Sequence, residues 1–318
     1  MREGLPDLLP GHQLGPYAVD SVLSSGEETS VYLVQHVRRG TWHALKVFKT
    51  AGPQMTERLR REAMLRTALD HPNIVPGRQL IDALGAPGLL MDFVEGTSLE
   101  EHLSRRRLAP HEAVELFRAI ASAAAHAHAH GLIHRDLRPG NILLQPDGPD
   151  RLVPRVLGWG LAKVRDGAAF TTVHRAMGTP GYAAPEQIQD AASTTPAADV
   201  FSLGVLLYEM LSGVAPFAGK SELGAALAAR NRDLLPLSTR CPELPEPLTG
   251  MVRAMLDPDP AHRPTDGGEV VALLPRVQAP PPPPEPELPR PALEWLGWAA
   301  LAPVAASLLG LAVVLAAR

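Results

Sequence analysis

Five consecutive prolines, Pro280 to Pro284, followed by Glu285-Pro286-Glu287-Leu288-Pro289, cut this chain of 318 residues in two. Proline lacks the amide proton that a strand ladder or a helix interior needs, so Ala279 to Pro291 can neither pair in a sheet nor continue a helix. The stretch is expected to be a stiff polyproline II spacer, roughly 40 Å long at ~3.1 Å per residue. A docking motif for a proline-reading domain is the rival reading. Any globular fold must therefore be complete before this linker, taken as residues 276–294, and the segment beyond it must be a separate element.

That segment carries no charged residue from Trp295 to Ala317. At ~1.5 Å per residue the run reaches about 34 Å against a hydrocarbon core of ~30 Å, so residues 295–317 predict one transmembrane helix. Trp295 and Trp298 stand where interfacial aromatics belong, with Arg290 and Glu294 before them and Arg318 after. Pro303 would kink the span without breaking it. Ala302, Ala306 and Gly310 recur every fourth residue, a small-residue face on which two spans could pack, so a homodimer is among the expectations. Met1 to Pro10 has neither the charged start nor the apolar core of a signal peptide, which predicts a single-pass C-terminal anchor with the globular part in the cytoplasm. The lone Cys241 forbids an internal disulfide and fits that compartment. With a net charge of −4 and acids and bases interleaved, no nucleic-acid surface is expected.

From about Leu14 to Pro275 strand-like segments come first and helix-like segments after, an α+β order. His43 to Phe48 reads as a short apolar strand interrupted by Lys46, a cation that needs a carboxylate partner in such company. Ala113, Leu116, Phe117, Ile120, Ala121 and Ala124 repeat at helical spacing. Thr195 followed by Pro196 predicts a helix start with a threonine cap, opening a helix over Asp199 to Leu211 that is apolar nearly all round and so central. His126, His128 and His130 alternate without acidic or cysteine neighbours, and a zinc site is not expected there.

His134-Arg135-Asp136-Leu137-Arg138-Pro139-Gly140-Asn141 resembles the catalytic loop of protein kinases, and Gly178 to Glu186, Asp199 to Gly204 and His262-Arg263-Pro264 resemble later motifs of that family in their order. Together with the bias against lysine, only Lys46, Lys49, Lys163 and Lys220 being present, they identify a member of the bacterial serine/threonine branch. The resemblance implies a two-lobed protein-kinase fold over residues 14–275, after an extension at 1–13. A small β-rich lobe would occupy about 14–92 and a large helical lobe about 93–275.

It also implies a site. Asp136 would accept the substrate hydroxyl proton, Asn141 would ligate metal, and Arg138 would keep a cation by the transferred phosphate where relatives have lysine. ATP would lie among Ser24, Gly26, Val31, Ala44, Lys46, Glu62, Met91 and Asp92. The hairpin Leu23 to Tyr32 keeps one glycine, Gly26, with Ser24 and Thr29 at the other two glycine positions, and an ordinary hairpin reads equally well. Lys46 would pair with Glu62, for which Arg58 and Arg66, one helical turn to either side, compete. Arg135 would receive a phosphate on Thr171 or Thr172, which read equally as plain loop residues. Glu186 would pair with Arg263, and Asp199 would brace the catalytic loop.

One departure governs the functional expectation. Where the family carries Asp-Phe-Gly, this chain reads Gly158-Trp159-Gly160, and a glycine side chain offers magnesium no oxygen. The expectation is a membrane-anchored kinase-like signalling protein with impaired catalysis, working on a protein substrate or through a partner kinase. The alternatives are a weak but active serine/threonine kinase and a scaffold that binds no nucleotide.

Overall fold

The strand-rich and helix-rich stretches become two lobes in the computed structural model, which describes residues 8–27, 29–49, 69–149, 151–159, 181–190 and 194–278. The first lobe is an antiparallel sheet built from β1 (Gln13–Leu14), β2 (Tyr17–Ser25), β3 (Thr29–His36), β4 (Trp42–Phe48), β5 (Gly77–Ala83) and β6 (Ala86–Asp92), in the order β1-β2-β3-β4-β6-β5. Partners in register share a face of a sheet. Val31 pairs with Lys46 and Lys46 with Leu89, while Leu33 pairs with Ala44 and Ala44 with Met91. Val31, Ala44, Lys46, Leu89 and Met91 thus line one face. Tyr32, Val34, Leu45, Val47 and Leu90 fill the other, where they bury against Leu14, Tyr17 and Val19.

The second lobe begins with β7 (Thr97–Ser98), α1 (Leu99–Arg105) and α2 (Pro110–Ala129). Every member of the apolar stripe from Ala113 to Ala124 is buried. Pro110 opens α2, and the Glu112 carboxylate reaches back to accept from the Ala109 amide at 2.8 Å, satisfying one of the orphan donors at a helix start. A short 3-10 turn at Pro139–Asn141 leads into β8 (Ile142–Pro146), which pairs with β7 and with β9 (Leu152–Val156). The remainder is helical: α3 (Pro185–Gln189), α4 (Pro196–Ser212), α5 (Glu222–Asn231), α6 (Leu237–Arg240), α7 (Glu246–Met255) and α8 (Gly267–Leu273).

The central helix is α4, in which Val200, Leu203, Val205, Leu206 and Leu207 are wholly buried. Pro196 takes the first helical position, as the Thr195-Pro196 pair predicts, and the helix runs to Ser212, one residue past Leu211, before Gly213 closes it at φ +77°. Thr195 is the flanking residue, but its side chain makes no capping bond, so the threonine cap inferred from the sequence is a backbone cap only. A side chain at Gly204 would put its Cβ 2.8 Å from Met255 Cβ, so glycine lets α4 approach α7 closely. No helix among the described residues is long and apolar enough to cross a membrane. Residues 279–294 of the linker, Trp295 to Ala317, Glu62, Thr171 and Thr172 lie outside the described residues.

Candidate active site

The loop between α2 and β8 is held from below by one carboxylate. Asp199, fully buried near the start of α4, accepts from the His134 amide at 2.7 Å, the Arg135 amide at 2.8 Å and His128 Nε2 at 2.8 Å. Burial pushes its pKa up, but the His128 bond and the adjoining imidazoles outweigh burial and hold it below the ordinary aspartate value. The bonds have a backbone consequence. Arg135 sits at φ +67°, which costs a non-glycine residue about 1–2 kcal/mol, and it is fixed from both sides: its amide goes to Asp199 and its carbonyl accepts from Gln187 Nε2 at 2.7 Å.

That turn directs the next residues. Asn141 Nδ2 donates to the Asp136 carbonyl at 2.7 Å and to its carboxylate at 2.9 Å, so the two side chains are locked together. The bond also turns the Asn141 amide oxygen away from Asp136, as an oxygen donor for a cation. Arg138 Nε lies 3.8 Å from Asp136 Oδ1, close enough for charge but too far for a hydrogen bond.

His134 ties this loop to the strand after it. Its Nδ1 accepts from the Asp136 amide at 3.2 Å, so its Nε2 carries the proton and donates to the Leu157 carbonyl at 2.7 Å. Burial lowers the His134 pKa, although Asp199 pulls the other way, and the ring is neutral. The Leu157 amide meanwhile donates to the Asn141 carbonyl at 2.8 Å. Gly158 comes next at φ +86°, a region that favours glycine. Trp159 is buried with its ring edge-on to His134 at 4.7 Å, and its Nε1 has no hydrogen-bond partner among the described residues.

The segment before β5 docks on the same spot. Ile74 bridges Val156 in parallel, the Val156 amide donates to Asn73 O at 2.8 Å, and Asn73 Nδ2 donates to Pro154 O at 2.8 Å. Met91, Leu89, Ile74 and Trp159 enclose a cavity of about 10 Å³ behind the sheet face, room for no more than one water.

Of the expected site residues, Val31, Ala44, Lys46 and Met91 share the sheet face, with Ser24 opposite Val31 in the hairpin that Gly26 turns. Asp92 differs. By alternation it leaves that face, and its carboxylate is taken by Arg78 through Nε at 2.9 Å and Nη2 at 2.5 Å. Glu186 and Arg263 form two bonds, at 2.7 and 2.9 Å. The Arg263 side chain is fully buried and also donates to Asp257 O, Ala197 O and Pro258 O.

Sequence reasoning missed His128 and Gln187. The signal for His128 was present: Ala121, Ala124 and His128 continue the buried stripe of α2 at spacings of three and four, so this imidazole points inward while the His126 and His130 rings lie against each other at 4.5 Å, tilted by 40°. Gln187 gave no such signal. A second cluster was also missed: Tyr182 donates to Glu209 at 2.6 Å, and burial, with Glu100 nearby, raises the Glu209 pKa.

The residues fit a nucleotide in two respects. Ala44, between Leu33 and Met91, leaves the sheet face open for a flat ring, and Arg138 places a cation 3.8 Å from Asp136 on the loop. For magnesium the donor set is short, since Asp136 and Asn141 offer oxygens and Gly158 offers none.

Comparison with known proteins agrees with this arrangement. The family model for the protein kinase domain matches residues 17–273. The serine/threonine-protein kinase PknA of Mycobacterium tuberculosis is 34% identical over 276 residues, which cover 83% of this chain and 62% of PknA. PrkC of Bacillus subtilis is 30% identical over 253 residues, 78% of this chain and 38% of PrkC. The chain thus spans less than two thirds of either relative. Among solved structures, the kinase domain of Mycobacterium tuberculosis PknI superposes with a TM-score of 0.66 at 26% identity, over 84% of this chain and 98% of that domain.

Proposed function

This chain belongs to the bacterial serine/threonine protein kinase family, and we propose that it transfers the γ-phosphate of ATP to serine or threonine hydroxyls of proteins. The observation that carries this reading is the locked pair Asp136 and Asn141, held on a strained turn that Asp199 maintains. A decayed loop would have no need of that strain. A protein kinase domain implies ATP binding. In this reading ATP supplies the phosphoryl group. Asp136 accepts the hydroxyl proton as the bond to the γ-phosphorus forms and its bond to the β-phosphate oxygen breaks, releasing ADP, while Lys46 and Arg138 neutralise phosphate oxygens, and Val31, Ala44 and Met91 hold the base. Arg135 would pair with a phosphate carried on Thr171 or Thr172. Phosphoryl transfer asks mainly for position and charge, which these groups provide.

Gly158 favours a second reading, in which weakened metal binding leaves a protein that binds nucleotide yet signals through conformation or a partner kinase. Comparing wild type with Asp136→Asn separates the two. Phosphoserine or phosphothreonine formation lost in the variant supports the transferase, and incorporation at background in both supports the impaired reading.

We also propose that Trp295 to Ala317 anchors the protein, with the kinase domain on the cytoplasmic side. The charge-free run and its flanking tryptophans support this.

A further inference from the structure

Gln187, on α3, is 4% exposed, and its side chain makes one hydrogen bond among the described residues, from Nε2 to the Arg135 carbonyl at 2.7 Å. Its Oε1 is buried and has no hydrogen-bond partner among them. For stability alone, one bond made is offset by one acceptor orphaned, so the use of this glutamine lies in what its donor holds.

What it holds is a peptide plane. The Arg135 carbonyl and the Asp136 amide belong to one planar group, with the oxygen and the N–H on opposite sides. Gln187 Nε2 fixes the oxygen, and His134 Nδ1, accepting from the Asp136 amide at 3.2 Å, fixes the other end. Between this plane and the one before it stands Arg135 at φ +67°, a strained value for a residue with a side chain. Relief needs one of the two planes to turn. Asp199 holds the first through the Arg135 amide, and Gln187 holds the second, which leads directly into Asp136. Gln187 is itself anchored, because its neighbour Glu186 makes two bonds to the buried Arg263, and the Tyr182 carbonyl accepts from Ser202 Oγ on α4 at 2.8 Å.

Resting on the transferase reading above for its chemical consequence, we propose that Gln187 is a positioning residue for phosphoryl transfer, pinning the peptide plane that enters Asp136 and so aiming the proton acceptor at the substrate hydroxyl. The segment 181–190 is thereby coupled to the base through one hydrogen bond.

The test compares the full chain in detergent with Gln187→Met, which keeps length and loses the donor, and with Gln187→Glu. In Gln187→Met, hydrogen exchange at the Asp136 amide should rise about tenfold, the loss of one hydrogen bond, with exchange in α4 unchanged. The kcat for labelling serine or threonine should fall about tenfold, while KM for ATP stays within about twofold of wild type. A glutamate keeps the shape, but its carboxyl donates only when protonated, and burial raises its pKa. The kcat of Gln187→Glu relative to wild type should therefore rise as pH falls, which a packing role would not produce. Asp136 exchange unchanged in a folded Gln187→Met, or a Gln187→Glu ratio flat in pH, would overturn the inference. Should wild type label no substrate, the transferase reading falls, and exchange alone decides the clamp: faster Asp136 exchange in Gln187→Met sustains it, and equal exchange overturns it.

Discussion

Replacing Asp199 with asparagine should loosen the catalytic loop before it unfolds the domain. The substitution keeps shape but leaves one acceptor oxygen where three donors converge. With that oxygen at the Oδ2 position, His134 N and His128 Nε2 keep their bonds, and the new amide N–H faces the Arg135 N–H. Two buried donors, the Arg135 N–H and the new amide N–H, are then orphaned, at about 1–3 kcal/mol each, and the two remaining bonds drop from charged to neutral strength, at about 1 kcal/mol each. Against this, Arg135 is freed from its positive φ, which returns about 1 kcal/mol. The net loss is about 3–7 kcal/mol, a large part of the ~5–15 kcal/mol that stabilises a typical domain. At roughly 2–4 °C per kcal/mol for a domain of this size, the thermal midpoint should fall by at least roughly 6 °C. Hydrogen exchange at the Arg135 amide should accelerate more than exchange in α4, because the local hold is lost first. A midpoint within about 2 °C of wild type, with Arg135 exchange unchanged, would refute the bracing role of this carboxylate.

Arg263→Ala should be costlier, about 3–5 kcal/mol by denaturant unfolding, since it strands Glu186 and uncovers three buried carbonyls that Arg263 now satisfies. Stability should also fall with acid. Burial depresses the folded pKa of His134 below its ordinary 6.5, so the unfolded chain takes up the proton first, and this contribution is full above about pH 6.5 and lost as pH drops below it. The unfolding midpoint should therefore decline as pH falls below about 6.5, and less steeply in His134→Asn. Gly158→Asp should raise ATP affinity only when magnesium is present. Its Cβ would have room, 3.8 Å from His134 Cε1, and aspartate is among the residues that tolerate positive φ, at about 1 kcal/mol; no gain with magnesium would mean that the metal site fails elsewhere. Deleting residues 291–318 should move the protein from the membrane pellet to the supernatant, and a truncated protein still in the pellet without aggregation would contradict the anchor.

Much of this was legible in the sequence where one residue type meets one physical demand. The period of α2 and the all-round apolarity of α4 announced buried helices, and the spaced Glu186 and Arg263 could be matched through the family resemblance. What the sequence hid was the use of each polar group after folding. Asp92 sits next to Met91 in the chain, but strand alternation turns it to Arg78. Thr195 has a capping side chain and makes no cap bond. Helical spacing set His128 apart from His126 and His130, but nothing in the sequence named Asp199 as its partner.

The central claim, that the loop around Asp136 transfers phosphate, is most directly tested by incubating the full chain in detergent with γ-labelled ATP and a mixed protein substrate, beside Asp136→Asn. Label on serine or threonine in wild type, reduced to background in the variant, is the expected result. Equal incorporation by the two proteins, or none above background in either, would contradict it.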